Sequence, residues 1–264
     1  MPAAHDPKTP AWPPRSAPRL FVAEELAADR VIAIEGNQAH YLSRVMRVGE
    51  GDTIILCDDS TGEWAARIES VGKRRIEAAA IERLREKEAV PDFWLCPALV
   101  KKDRFDLILE KATELGVARI RPVVTRRCVV DKLNAERART VTVEAAEQCA
   151  RTALPIVDAP DKLDTLLRDW PQDRALYFAD ETGGEPASAA FARLKGPSAL
   201  LIGPEGGFDE AERAAIRALP QAVPIGLGPR ILRAETAAIA ATALWMAVAG
   251  DWADERAETP TPVR

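Results

Sequence analysis

The chain has 264 residues, of which 47% are hydrophobic and 29% charged, with a formal net charge of −5. That length exceeds one typical domain and falls short of three, so one large and one small domain are expected, each with enough apolar material for a core. The negative balance argues against nucleic-acid binding over the whole surface, and Cys57, Cys96, Cys128 and Cys149 lack the close pairing that zinc or a redox dithiol requires, so reduced thiols and no metal site are expected.

Residues 1–18 carry six prolines and little periodicity, which predicts a disordered extension. No charged leader with an apolar core precedes the first structured segment, so a cytoplasmic location is expected. Over 19–88 the runs Thr53–Cys57, Trp64–Ile68 and Arg75–Ile81 alternate and are separated by Asp-Asp-Ser-Thr-Gly and Val-Gly-Lys turns, which predicts a small antiparallel barrel. His40–Arg47 is predicted as its helix, and Gly49–Asp52 as the turn that aims the first hairpin back onto it.

Beyond the charged run Glu82–Glu88 and Pro91, apolar strand patterns alternate with helical ones, the signature of an α/β domain built on a parallel sheet. This second domain is expected over 89–252, followed by a flexible tail at 253–264. Strands are predicted at 93–99, 120–124, 156–158, 175–179, 199–202 and 222–225, and helices at 103–115, 134–151, 161–169, 209–218 and 234–249. Asp209 and Glu212 have the spacing of a reciprocal capping box at the start of the fourth helix. The apolar stretch Ala237–Ala249 falls well short of the roughly 20 residues that span a bilayer, so no membrane partner is expected. The last helix is apolar on nearly every face apart from Glu235 and Thr242, which predicts burial on several sides.

Chemistry concentrates in two loops. Leu201-Ile-Gly-Pro-Glu-Gly-Gly-Phe208 leaves a buried strand, turns on glycines that allow close backbone approach, and enters the capped helix. It lacks the Lys-Ser/Thr pair of a phosphate loop and the G-x-G-x-x-G spacing of a dinucleotide fold, so a neutral or zwitterionic ligand suits it. Ile225–Thr236 repeats the arrangement one strand later, and ligands of open parallel sheets lie outside the carboxyl ends of the strands, so both loops can face one crevice. Arg230, Arg233 and Glu235 place fixed charge beside it, either for chemistry or as an Arg–Glu pair at the helix start. A basic stretch from Arg119 to Arg139 holds seven basic residues against two acidic, which reads either as a nucleic-acid contact or as a solvated face.

Together these segments resemble the cofactor site of the SPOUT methyltransferases, specifically the RsmE-type 16S ribosomal RNA uridine-N3 methyltransferase family. The resemblance continues through Arg19-Leu-Phe-Val22, His40-Tyr-Leu-Ser-Arg-Val-Met-Arg47, Lys111-Ala-Thr-Glu-Leu-Gly-Val117, Arg121-Pro122, Glu144–Arg151 and Pro155, covering about 19–250. It implies a PUA-like RNA-binding barrel before a catalytic domain tied in a trefoil knot, a feature that periodicity does not show. It implies S-adenosyl-L-methionine as cofactor, held by loops matching 178–183, 203–207 and 227–233. The residues so implied are Phe178 on the first; Ile202, Gly203, Pro204, Gly206 and Gly207 on the second; and Leu227, Gly228, Ile231, Leu232, Glu235 and Thr236 on the third. A valine at Gly206 is expected to abolish cofactor binding. The implied partners are 16S ribosomal RNA or the small ribosomal subunit, and a second copy of the chain packed through the last helix.

Arg233 is expected to stabilise negative charge on the uracil oxygens, while Glu205 either takes the N3 proton or binds the cofactor's amino group. The target base is expected to leave its stack, with Phe208 either stacking on it or packing its own helix. His5 and His40 lie outside the second domain and are not expected to act as bases. Arg19, Arg44, Arg47, Arg121, Arg126, Arg127 and Arg151 are the expected RNA contacts. The sequence departs from the family pattern in its long proline-rich start and in Thr125-Arg-Arg127, where Glu-Arg is more familiar. Two other readings are a SPOUT enzyme acting on the ribose 2′-oxygen and a non-catalytic RNA-binding assembly factor; the segments at 19–22 and 40–47 favour the uridine family.

Overall fold

The structure, a computed structural model, describes Pro13, residues 17–194 and residues 196–253. Most of the expected extension, with His5, and nearly all of the expected tail lie outside the described residues. Ala17 is nevertheless buried, and the carbonyl of Pro18 accepts from the Ile55 amide, so ordered packing starts just before Arg19. Two compact units form, one from residues 17–89 with 146–153, the other from 90–145 with 154–253. No helix among the described residues is long and apolar enough to cross a membrane.

The first unit is a five-stranded sheet of β1 (Arg19–Phe21), β2 (Val31–Glu35), β3 (Thr53–Cys57), β4 (Glu63–Val71) and β5 (Arg75–Arg85), in the order β1-β3-β4-β5-β2. Its ladders are antiparallel except β1 with β3. Alternation decides the core: Ile76, Ala78 and Ala80 of β5 point inward with Ile32, Ile34, Ile54, Leu56 and Ile68. Register shifts in the β4–β5 ladder bend these long strands and curl the sheet. The helix predicted at 40–47 begins earlier, as α1 (Gly36–His40), and widens into a π-helical turn at Tyr41–Met46 that ends on Arg47 in the left-handed region (φ 56°). Leu42 is its buried anchor, whereas Arg44 and Arg47 are exposed.

The second unit has a seven-stranded sheet in which every ladder is parallel. Its strands are β6 (Phe93–Pro97), β7 (Arg119–Ile120), β9 (Ile156–Val157), β11 (Ala175–Ala179), β12 (Glu185–Pro186), β13 (Ser198–Ile202) and β14 (Ala222–Gly226), ordered β12-β14-β11-β13-β6-β7-β9. The strand predicted at 120–124 divides, because Pro122 has no N–H to donate: β7 stays in the large sheet, while β8 (Val123–Val124) pairs with β10 (Asp161–Lys162). Helices α2 (Lys102–Glu114), α3 (Ala135–Cys149), α4 (Leu163–Arg168), α6 (Glu210–Ala218) and α7 (Ala234–Val248) fall close to expectation. Helix α5 (Ala187–Arg193) does not, since in that alanine-rich run Phe191 is the lone large apolar anchor.

Both faces of the sheet are buried, which explains why its central strands read as continuous apolar runs. Along β13, Leu200 and Ile202 join a core with Phe93, Phe105, Phe191 and Trp245, and Ala199 and Leu201 join another with Leu166, Phe178, Phe208 and Ile216. Strand β14 enters between β11 and β12, and a Cβ on Gly184 would lie 2.5 Å from backbone atoms of Pro224, so only glycine fits there. Helix α7 buries Ala234, Ala237, Ala238, Ala241, Trp245 and Met246, while Ala240 and Ala247 are exposed and Ile239, Ala243 and Leu244 half-buried. Cys57, Cys96 and Cys128 are free thiols, and burial pushes the Cys96 thiol up to about 12.

Candidate functional site

The strands β14, β11 and β13 are neighbours, and the loops leaving their carboxyl ends line one cavity of about 690 Å³. That volume suits a cofactor-sized molecule. Its apolar wall is Ile202, Phe208, Ile225, Leu227, Leu232 and Ala237, and its charges come from Asp180, Glu181, Glu205, Arg213, Arg230 and Arg233. Pro204, Gly203, Gly207, Gly228 and Ile231 also border it.

Glycine has a distinct task in each of the two motif loops. Gly207 sits at φ 66°, where a Cβ would come within 2.9 Å of the Glu181 carboxylate. Gly228, at φ 98°, has nothing within 4 Å of its absent Cβ, so the third loop leaves bare backbone beside the cavity. The predicted capping box is present: the Glu212 amide donates to Asp209 Oδ1 at 2.7 Å and the Asp209 amide to Glu212 Oε2 at 3.0 Å. Backbone donation from Glu212 holds Asp209 below the usual carboxylate range, with the Arg126 guanidinium assisting.

The loop after β13 is braced by arginines. Arg127 Nη1 donates to the Gly206 carbonyl at 2.6 Å, Arg126 Nη1 to Asp209 at 2.9 Å, and Arg104 Nη1 to Glu205 Oε1 at 2.9 Å. The loop after β11 turns on Asp180, whose side chain is fully buried between Arg217 at 2.7 Å and Arg213 at 3.3 Å. Burial works against its charge, but the Thr182 amide and hydroxyl and the Arg217 guanidinium outweigh it and lower the Asp180 pKa.

Several sequence expectations need correction. Phe178 is fully buried in the core on the other face from Tyr177, under Arg217, and does not line the cavity. Gly206 does not line it either: its Cβ would meet Cβ and Cδ of Arg127 at 3.3 Å, so a larger residue there presses first on that arginine. Thr236 is exposed away from the lining, and Glu235 lies buried in the first turn of α7 with Arg104 Nε 3.8 Å away, so neither borders the cavity. Phe208 packs in the core and also lines the cavity. Three expected RNA contacts are committed elsewhere. Arg19 is buried against Glu63 at 3.2 Å, Arg151 is buried beside Glu88 at 3.9 Å, and Arg121 pairs with Asp158 and Asp161 under the ring of Trp94. Arg44, Arg47, Arg126 and Arg127 remain exposed.

Sequence reasoning missed Arg104, Arg213 and Arg217, and took in Asp180 only as part of the loop at 178–183. Asp180-Glu-Thr-Gly-Gly184 after a strand was the available signal, being a third glycine turn, and Arg213 and Arg217 are one helical turn apart on α6.

The comparisons with known proteins agree with this geometry. A family model described as an RNA methyltransferase domain matches residues 86–246, and one described as an RNA methyltransferase PUA domain matches residues 34–81. Fold and cavity therefore define a chain of the RNA methyltransferase class. The chain is 34% identical over 219 residues to ribosomal RNA small subunit methyltransferase E of Bacillus subtilis, covering 78% of this chain and 85% of the relative. It is 30% identical to the protein of that name from Rickettsia conorii, over 85% of this chain and 93% of the relative. The crystal structure of ribosomal RNA small subunit methyltransferase E from Neisseria gonorrhoeae bound to S-adenosyl methionine superimposes with a TM-score of 0.80, at 28% identity, over 89% of this chain and 99% of that one. The chain belongs to the ribosomal RNA small subunit methyltransferase E family.

Proposed function

We propose that this protein transfers the methyl group of S-adenosyl-L-methionine to N3 of a uridine in 16S ribosomal RNA, acting in the cytoplasm as a homodimer. One observation carries the reading: three loops at adjacent parallel strand ends, rich in glycine and proline, enclose one cavity of about 690 Å³. The residues fit the cofactor. Ile202, Leu227 and Leu232 offer an apolar bed for a purine, and the open backbone at Gly228 offers hydrogen-bonding groups without a side chain in the way. When bound, the cofactor supplies an electrophilic methyl group on a sulfonium.

The chain's own residues do the rest. The cavity walls exclude water and orient the uracil ring so that N3 faces the methyl group, which supplies much of the rate. Glu205 takes the N3 proton, and Arg233 stabilises the negative charge that spreads onto the ring oxygens; both line the cavity. Nitrogen forms its bond to the methyl carbon as the carbon–sulfur bond breaks, the bonding pair leaving on sulfur. Arg44 and Arg47 on the first unit, and Arg126 and Arg127 on the second, provide exposed positive charge for RNA phosphates. The knotted passage implied by the family is supported by the entry of β14 between β11 and β12, and the dimer by the half-covered face of Ile239, Ala243 and Leu244 on α7.

Mass-spectrometric mapping of ribosomal RNA from cells with and without this protein tests the reading. Loss of a single 3-methyluridine from small-subunit RNA is the expected result; an unchanged 3-methyluridine with loss of a ribose methylation would refute the N3 assignment.

A further inference from the structure

The structure assigns to Arg104 a positioning role: it ties the cavity loop after β13 to the start of α7 through one guanidinium and so holds Glu205 in place for the transfer. The inference rests on the functional reading above and deepens it. Arg104 lies in the first turn of α2 and reaches Glu205, on the loop after β13, with Nη1 at 2.9 Å from Oε1. The same side chain places Nε 3.8 Å from Oε1 of Glu235, in the first turn of α7, directly after the loop that follows β14. Glu235 is only 9% exposed, and its Oε2 is buried without a hydrogen-bond partner among the described residues. A buried carboxylate in that state needs compensating charge, and Arg104 is the cation the structure gives it.

Neighbouring charges do not compete for Arg104. Asp103 and Asp106 are taken by Lys102, and Asp106 also by Arg137. A guanidinium can serve two carboxylates on different elements because its donors are spread over a rigid plane, which a lysine ammonium does not reproduce. The Arg104 and Glu205 side chains are each about one third exposed, at 34% and 33%, so their ion pair adds little to stability. Its value is geometric. With Arg104 absent, the loop bearing Glu205 keeps its Arg127 brace at Gly206 but loses the contact that orients the carboxylate itself.

The test uses the full chain and the variants Arg104→Ala, Arg104→Lys, Glu205→Gln and the double Arg104→Ala/Glu205→Gln. Single-turnover methyl transfer to small-subunit RNA at saturating cofactor is expected to slow roughly 10- to 100-fold in Arg104→Ala, with only partial rescue in Arg104→Lys. The double variant is expected to be no slower than Glu205→Gln, because Arg104 acts through that carboxylate. In Arg104→Ala the thermal midpoint is expected to fall, because the buried Glu235 carboxylate is left without its cation, and to recover when Glu235→Gln is added. Hydrogen exchange of the cofactor-free chain gives a readout independent of activity, with amides of residues 205–207 expected to exchange about tenfold faster in Arg104→Ala. Wild-type turnover, additive losses in the Arg104→Ala/Glu205→Gln variant, unchanged exchange or an unmoved midpoint would each overturn the inference. A wild-type chain that transfers no methyl group would instead sink the functional reading, while the exchange result would still judge Arg104.

Discussion

The loops after β13 and after β14 both run from a parallel strand through glycine and proline into a helix, yet they are held in opposite ways. Around Pro204–Gly207, Arg104, Arg126 and Arg127 clamp a carboxylate, a capping residue and a carbonyl. Along Gly228–Arg233, by contrast, Ile231 is 91% exposed, and the side chains of Arg230 and Arg233 have no ion-pair partner among the described residues. The difference teaches how one cavity can combine a fixed floor with a wall left free for substrate. A cofactor needs preorganised groups, whereas an RNA base must enter from solvent and meet side chains not already satisfied.

The strongest way to break this comparison is Arg233→Ala. Since Arg233 is exposed and has no ion-pair partner among the described residues, its loss is expected to leave folding unchanged while slowing single-turnover methylation by about 10²–10³. Cofactor affinity, followed by calorimetric titration, is expected to change far less. A matched loss of binding, with turnover restored at saturating cofactor, would show that the second loop serves the cofactor after all.

Asp180→Asn probes bracing in the loop after β11 by stability. Removing a buried charge that holds Arg213 and Arg217 is expected to cost about 1–3 kcal/mol, a fall in thermal midpoint of roughly 2–12 °C near neutral pH. Because the folded protein depresses the Asp180 pKa, its stabilisation is complete above the ordinary carboxylate value of about 4 and is lost as pH falls below it. The gap between wild type and variant should therefore narrow in acid; a gap that is constant from neutral pH to about pH 3 would rule out the charge as its source.

The smallest effect is expected at Gly206→Ala. Its Cβ meets Cβ and Cδ of Arg127 at 3.3 Å, a contact that a shift of a few tenths of an ångström relieves, so cofactor affinity should change less than about tenfold and stability by under about 1 kcal/mol. Abolished binding in a folded Gly206→Ala protein would place a ligand against that position and restore the expectation drawn from the sequence.

By itself the sequence determined the α/β class, the six principal parallel strands, the capping box at Asp209 and Glu212, and the two glycine loops. These are local properties: strand burial, cap chemistry and positive φ are written in neighbouring residues. The split at Pro122 was legible in principle from the same local rules. What only the tertiary structure decided is which like residues do which work. Arg19 and Arg44 look equally basic in the sequence, yet one is buried on Glu63 and the other is exposed. Gly206 and Gly207 are adjacent, yet a side chain on one would press on Arg127 and on the other would meet Glu181. Arg104 lies 101 residues before the Glu205 it holds, and no pattern along the chain connects them. Charge pairing depends on distances between elements, and those are set only when β6, β13 and α7 pack around the same core.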